Sequence, residues 1–116
     1  VRTFLTALAL VTLTACGGSG DDKDYDSLKD VGQAAGCDPY TDVAEPMMYA
    51  TETAECTLPS GDVTLNWFND NQARDQYVDL GTNNGAVYAI GDNWAAECQT
   101  EKQQAEVAEA TGGTKP

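Results

Sequence analysis

Beyond an apolar N-terminal stretch, large apolar residues recur at helical spacing in some segments and alternate in others, and the changes of period lay out the elements. Leu28, Val31, Gly32 and Ala35 fall on one helix face; Ser27, with Asp30 three residues on, supplies an N-cap, and Gly36 ends the run. Residues 47–51 and 54–58 read as short strands. Pro59-Ser60-Gly61-Asp62 is a turn before residues 63–68, where Val63, Leu65 and Trp67 share a face. Asn69, with Gln72 three residues later, is the expected cap of a second helix whose Ala73, Tyr77 and Leu80 line its inner side. Residues 86–90, the Gly91-Asp92-Asn93 turn and residues 94–98 form the clearest hairpin signal, with Trp94, Ala96 and Cys98 turned inward. Thr100 with Gln103 caps a last helix through Ala105, Val107, Ala108 and Ala110, closed by Gly112-Gly113.

Strands joined by hairpins imply an antiparallel sheet, and helices with one narrow apolar face imply packing on one side of it. The expected fold is therefore α+β: a small antiparallel β-sheet with helices packed on one face, spanning residues 27–113 and followed by a short tail at 114–116. No internal repeat is visible.

Before this domain, Arg2 precedes an apolar run from Phe4 to Leu13, much shorter than the about 20 residues a membrane-spanning helix needs. It reads as a signal-peptide core, residues 1–15. The run ends in Leu13-Thr14-Ala15-Cys16, which resembles the lipobox of bacterial lipoproteins: a branched apolar residue, two small ones, then the cysteine that takes the diacylglycerol. That resemblance implies lipidation at Cys16 and a chain held by membrane lipid on the extracytoplasmic side, since two or more acyl chains anchor stably where one does not. Residues 16–26, with Gly17-Gly18-Ser19-Gly20 and then Asp21, Asp22, Lys23, Asp24, Tyr25 and Asp26, make a flexible acidic tether. Its Asp cluster lacks the ligand spacing of a calcium loop and reads as a solvated run.

Charge narrows the function classes. The chain of 116 residues has 19 acidic and 6 basic side chains and no histidine, a formal charge of −13. So few cations cannot line a phosphate-binding groove, which excludes nucleic acid as a partner. Without imidazole, most hydrolase triads and zinc sites are missing too. Asp70, Asp75, Asp79 and Asp92 are the carboxylates that invite acid–base chemistry, but helix capping, a polar helix face and a hairpin turn account for each. The expectation is no catalytic residue, no metal and no cofactor. Trp67, Tyr88 and Trp94, with Phe68 beside them, are candidates for a binding surface, against a competing role in the core.

With Cys16 lipidated, Cys37, Cys56 and Cys98 remain, an odd number that implies one disulfide and one free thiol, with three pairings open. Cys37–Cys56 is the favoured pair, because it would pin the polar segment 38–53 to the sheet. Cys98 shares its inward face with Trp94 and has no basic neighbour in sequence to lower its pKa, so it reads as a buried apolar residue.

Taken together, the lipobox, the Gly-Ser-Asp tether, Gly36-Cys37, Cys56, Ala73-Arg74-Asp75 and the stretch from Gly85 to Trp94 resemble the short lipoproteins of actinobacteria and their phages. That resemblance implies a location and no reaction. The expected function is a membrane-anchored envelope lipoprotein displaying a small non-catalytic binding domain to an envelope protein or wall component. The alternative is a phage or prophage lipoprotein that excludes a second phage by binding a tail component.

Overall fold

The computed structural model describes residues 24–116; the expected leader at 1–15, Cys16 and tether residues 16–23 lie outside the described residues. Helix α1 (Leu28–Ala35) starts where Ser27 Oγ accepts the Asp30 backbone N–H at 3.2 Å and stops at Gly36, whose φ of 88° is the left-handed region that glycine enters without strain. Strand β1 (Tyr40–Val43) leads through a loop to β2 (Glu52–Leu58), which turns at Pro59-Ser60 into β3 (Gly61–Trp67). Helix α2 (Asn71–Thr82), the hairpin of β4 (Val87–Gly91) and β5 (Trp94–Cys98), and helix α3 (Glu101–Thr111) complete the domain.

The five strands form one antiparallel sheet in the order β1-β2-β3-β5-β4. Because β5 is inserted between them, β3 and β4 run in the same direction, and α2 is the crossover that joins them. The α+β class with a small antiparallel sheet is as the sequence predicts. The placement of the helices differs from the expected single layer: α1 and α3 cover one face, and α2 covers the other over β4 and β5. The physical reason is alternation with both sets of residues apolar. Leu28, Val31, Cys56, Val63, Leu65, Ala89, Trp94, Ala96 and Val107 pack on the first face, while Phe68, Tyr77, Val78, Tyr88 and Ala95 form a separate cluster on the second.

Several local expectations shift. Residues 47–51 are a loop, and the first strand is β1, which the sequence hides because Tyr40 alone of its side chains packs on the core while Thr41 and Asp42 are exposed. The cap of α2 is Asp70, accepting the Ala73 N–H at 2.8 Å, one residue beyond Asn69. Leu80, expected on the inner side of α2, is 48 % exposed; Tyr77 and Val78 do the packing. In α3 the buried positions are Gln103, Gln104, Val107 and Thr111, whereas Ala105 and Ala110 are exposed. The glutamines are tolerated inside because their amides are bonded: Gln103 Nε2 donates to Gly61 O at 3.1 Å and Gln104 Nε2 to Tyr88 O at 2.5 Å.

The domain also reaches past its expected ends. Tyr25, assigned to the tether by composition, packs on the first-face core, stands edge-on to Trp94 at 6.5 Å and donates its hydroxyl to Thr111 O at 2.6 Å. Thr114, assigned to the tail, bridges Ile90 at the outer edge of β4. Cys37 and Cys56 form the disulfide, tying the end of α1 to β2, and Cys98 is free and buried.

Candidate functional site

The second face is only half covered, and its open part carries the site. Loop 44–51 crosses this face beside α2. A turn closed by Ala50 N–H on Met47 O at 3.0 Å brings the chain round, with Tyr49 at a φ of 70°, in the left-handed region. Both ends of the turn are fastened: Met47 N–H donates to Thr53 Oγ1 at 2.9 Å, Thr51 N–H donates to Trp67 O at 2.8 Å, and Ala50 packs on the second-face cluster. The turn thus holds Met48 and Tyr49 out in solvent, 62 % and 47 % exposed.

Between this loop and the second half of α2 lies a groove of about 460 Å³. Met47, Met48 and Leu80 form its rim, Asn84 to Ala86 close one end, and Tyr77, Tyr88 and Glu97 line its floor. The floor belongs to a hydrogen-bonded chain running under the loop. Thr53 Oγ1 donates to Asn66 Oδ1 at 2.8 Å, Asn66 Nδ2 donates to the Tyr77 hydroxyl at 3.3 Å, and that hydroxyl donates to Glu97 Oε1 at 2.9 Å. Asn66 and Thr53 are buried, so these bonds satisfy groups that would otherwise be costly there and fix the floor to the loop above it. Burial first, then the hydrogen bond and charge of Glu97, push the Tyr77 phenol far above its ordinary value; burial also raises Tyr88. The Tyr77 phenol is thus the donor of this pair, and Glu97 supplies the acceptor.

The expected aromatic binding surface does not form. Trp94 is 1 % exposed and Tyr88 2 %, and Phe68 is fully buried, so these are core side chains. Trp67 is partly buried against the first-face core, opposite Trp94 across β3 and β5, whereas Tyr88 points to the second face. The three do not converge, because alternation sends Tyr88 to the other side of the sheet from both tryptophans. Tyr88 does contribute one edge to the floor of the groove.

The carboxylates that attracted attention are dispersed. Asp70 caps α2, Asp75 pairs with Arg74 at 2.8 Å, Asp92 accepts from Asn71 Nδ2 at 2.8 Å at the hairpin tip, and Asp79 lies on the exposed side of α2. Among the described residues no three His, Cys, Asp or Glu side chains cluster in a way that could hold a metal ion. Burial pushes the Cys98 thiol up to about 11, so it is protonated and unsuited to nucleophilic attack at neutral pH. A second hollow of about 470 Å³ lies at the hairpin tip among Asp24, Arg74, Gly91, Trp94 and Gly113. There Trp94 Nε1 is buried with no acceptor among the described residues, and the indole presses on Gly91, where a Cβ would fall 2.2 Å from Nε1.

Sequence reasoning missed Met47, Met48, Leu80 and Glu97. A signal existed in Pro46-Met47-Met48-Tyr49: three consecutive large side chains cannot all turn inward on a strand, so at least one must be displayed. Comparison of the chain with protein families, curated proteins and solved structures finds no match.

Proposed function

We propose that the protein is an envelope lipoprotein, anchored through diacylglyceryl-Cys16 on the outer face of the membrane, whose domain is a non-catalytic binding module. The observation that carries the binding role is the groove. Displaying Met48, Tyr49 and Leu80 together gives up roughly 1.5–3 kcal/mol of burial for each side chain that could have been fully covered, and an apolar patch held out by a fastened turn is characteristic of an interaction surface. The anchor reading rests on Leu13-Thr14-Ala15-Cys16 and the apolar run before it. The two fit together spatially: Tyr25, where the tether ends, packs on the first face, while the groove opens on the second. A partner in the wall or on a neighbouring envelope protein would then meet the side of the sheet opposite the tether's attachment.

The test is the intact mass and fractionation of the protein from its own cells, beside C16S. The reading expects lipid mass on Cys16 and a membrane-bound wild type, with C16S released. An unmodified Cys16 and a wild type that washes off would overturn it. Expression in a phage-sensitive host gives the narrower outcome: a drop in plating efficiency that the L80D variant abolishes would make the partner a phage tail component.

A further inference from the structure

We propose that the groove recognises a lysine or arginine side chain carried on an apolar segment of a partner polypeptide, with Glu97 receiving the cation and Met47, Met48 and Leu80 holding its apolar flanks. This rests on the groove being the binding surface. Glu97 is the one charged residue among those that line it. Its Oε1 is held by the Tyr77 hydroxyl, so the carboxylate is oriented, and the one ion pair among the described residues is Arg74–Asp75, so no cation of the domain neutralises Glu97. An oriented acceptor on the floor of an open, largely apolar groove favours a donor of opposite charge over a neutral one. Met and Leu side chains suit the methylene stem of lysine or arginine and its apolar neighbours, and methionine adapts to irregular shapes. A second copy of the chain is a poor occupant, since it would bring its own charge of −13 to the contact.

The chain has two methionines and both stand on the rim, so a methyl label on methionine reports on this groove alone. The lipidated full chain, carrying ¹³C-methyl methionine in phosphatidylcholine nanodiscs, would be titrated with acetyl-Leu-Lys-Leu-amide and with its norleucine analogue, which keeps the stem and removes the charge. Both methionine signals are expected to shift saturably, with the lysine peptide binding about fivefold more tightly than the norleucine one, the scale of one well-placed exposed ion pair. E97Q keeps an acceptor for Tyr77, so it should bind the norleucine peptide as before and lose the preference for lysine. Equal affinities in the wild type overturn the cation site. A preference that survives in E97Q overturns it as well, because it would then come from the net charge of the domain. Silence of both methionine signals towards both peptides would instead overturn the groove as the binding surface.

Discussion

Gly81 and Tyr88 show how one residue sets the floor of the groove. A Cβ at Gly81 would lie 1.7 Å from the Tyr88 hydroxyl and 2.6 Å from its Cζ, so the ring itself, not only the hydroxyl, would have to move. In an unencumbered helix, glycine to alanine stabilises by about 1 kcal/mol. Here G81A should destabilise by about 1–3 kcal/mol, as overpacking does. The double variant G81A/Y88F, lacking the clashing hydroxyl, should recover part of that loss in urea unfolding. A stabilised G81A would show that the helix and strand are not this close.

Cys98 makes a separate, pH-dependent contribution. Its thiol is raised from the ordinary 9.0 to about 11, mainly by burial. The unfolded chain therefore loses this proton first, so the stabilisation is complete below pH 9 and is lost as pH rises towards 11. Tyr40, pushed up to about 12 by burial and then by Asp42 and Glu52, and Tyr77, raised further by burial and Glu97, extend the decline above pH 10. C98A should flatten the fall in unfolding free energy from pH 9, most clearly between pH 9 and 10, leaving the Tyr40 and Tyr77 part above it. An unchanged slope would mean that the thiol is solvated in the fold.

At the scale of elements, the start of α2 separates two readings of the same sequence. Asn69 and Asp70 are both good capping residues, and spacing alone points to Asn69 with Gln72. The structure uses Asp70, because Asn71 is needed one residue further on: its side chain accepts the Asn93 N–H and donates to Asp92, clasping the hairpin tip to the helix. D70A should cost about 1 kcal/mol, and N69A should fall within about 0.5 kcal/mol of wild type, both read from thermal or urea melts. Caps and hairpins proved legible where one side chain and one turn decide the outcome, as at Ser27, Gly36, Thr100 and Gly112. The inner face of α3 was not legible from apolar spacing. Gln103 and Gln104 are inside because of partners on β3 and β4, which are distant in sequence.

At the scale of the molecule, the sheet has helices on both faces, and the sequence carried the trace of this. The run Ala86-Val87-Tyr88-Ala89-Ile90 and the pair Ala95-Ala96 beside Trp94 are apolar at successive positions, the pattern of strands covered twice. Reading only one parity as buried placed Tyr88 with the tryptophans and left α2 on the wrong side. The groove itself was beyond periodicity, since it arises from loop 44–51 meeting the far half of α2 across the sheet. The Cys37–Cys56 bond is the covalent brace of the whole, closing a sequence separation of 19 between α1 and β2. The C37S/C56S double variant should lose about 3 kcal/mol on the chain-entropy scale, seen as a lower urea midpoint. A midpoint unchanged from the oxidised protein would show that the noncovalent core alone fixes α1.

The face that meets a partner can be read directly by placing a photo-crosslinking amino acid at position 48, on the groove rim, or at position 106, exposed on α3 on the other side of the sheet, in the full chain in its own cells. The expected result is a discrete product from position 48, weakened by E97Q, in which the captured partner segment bears lysine or arginine, and no product from position 106. A product from position 106 with none from position 48 would contradict the assignment of the groove as the binding surface.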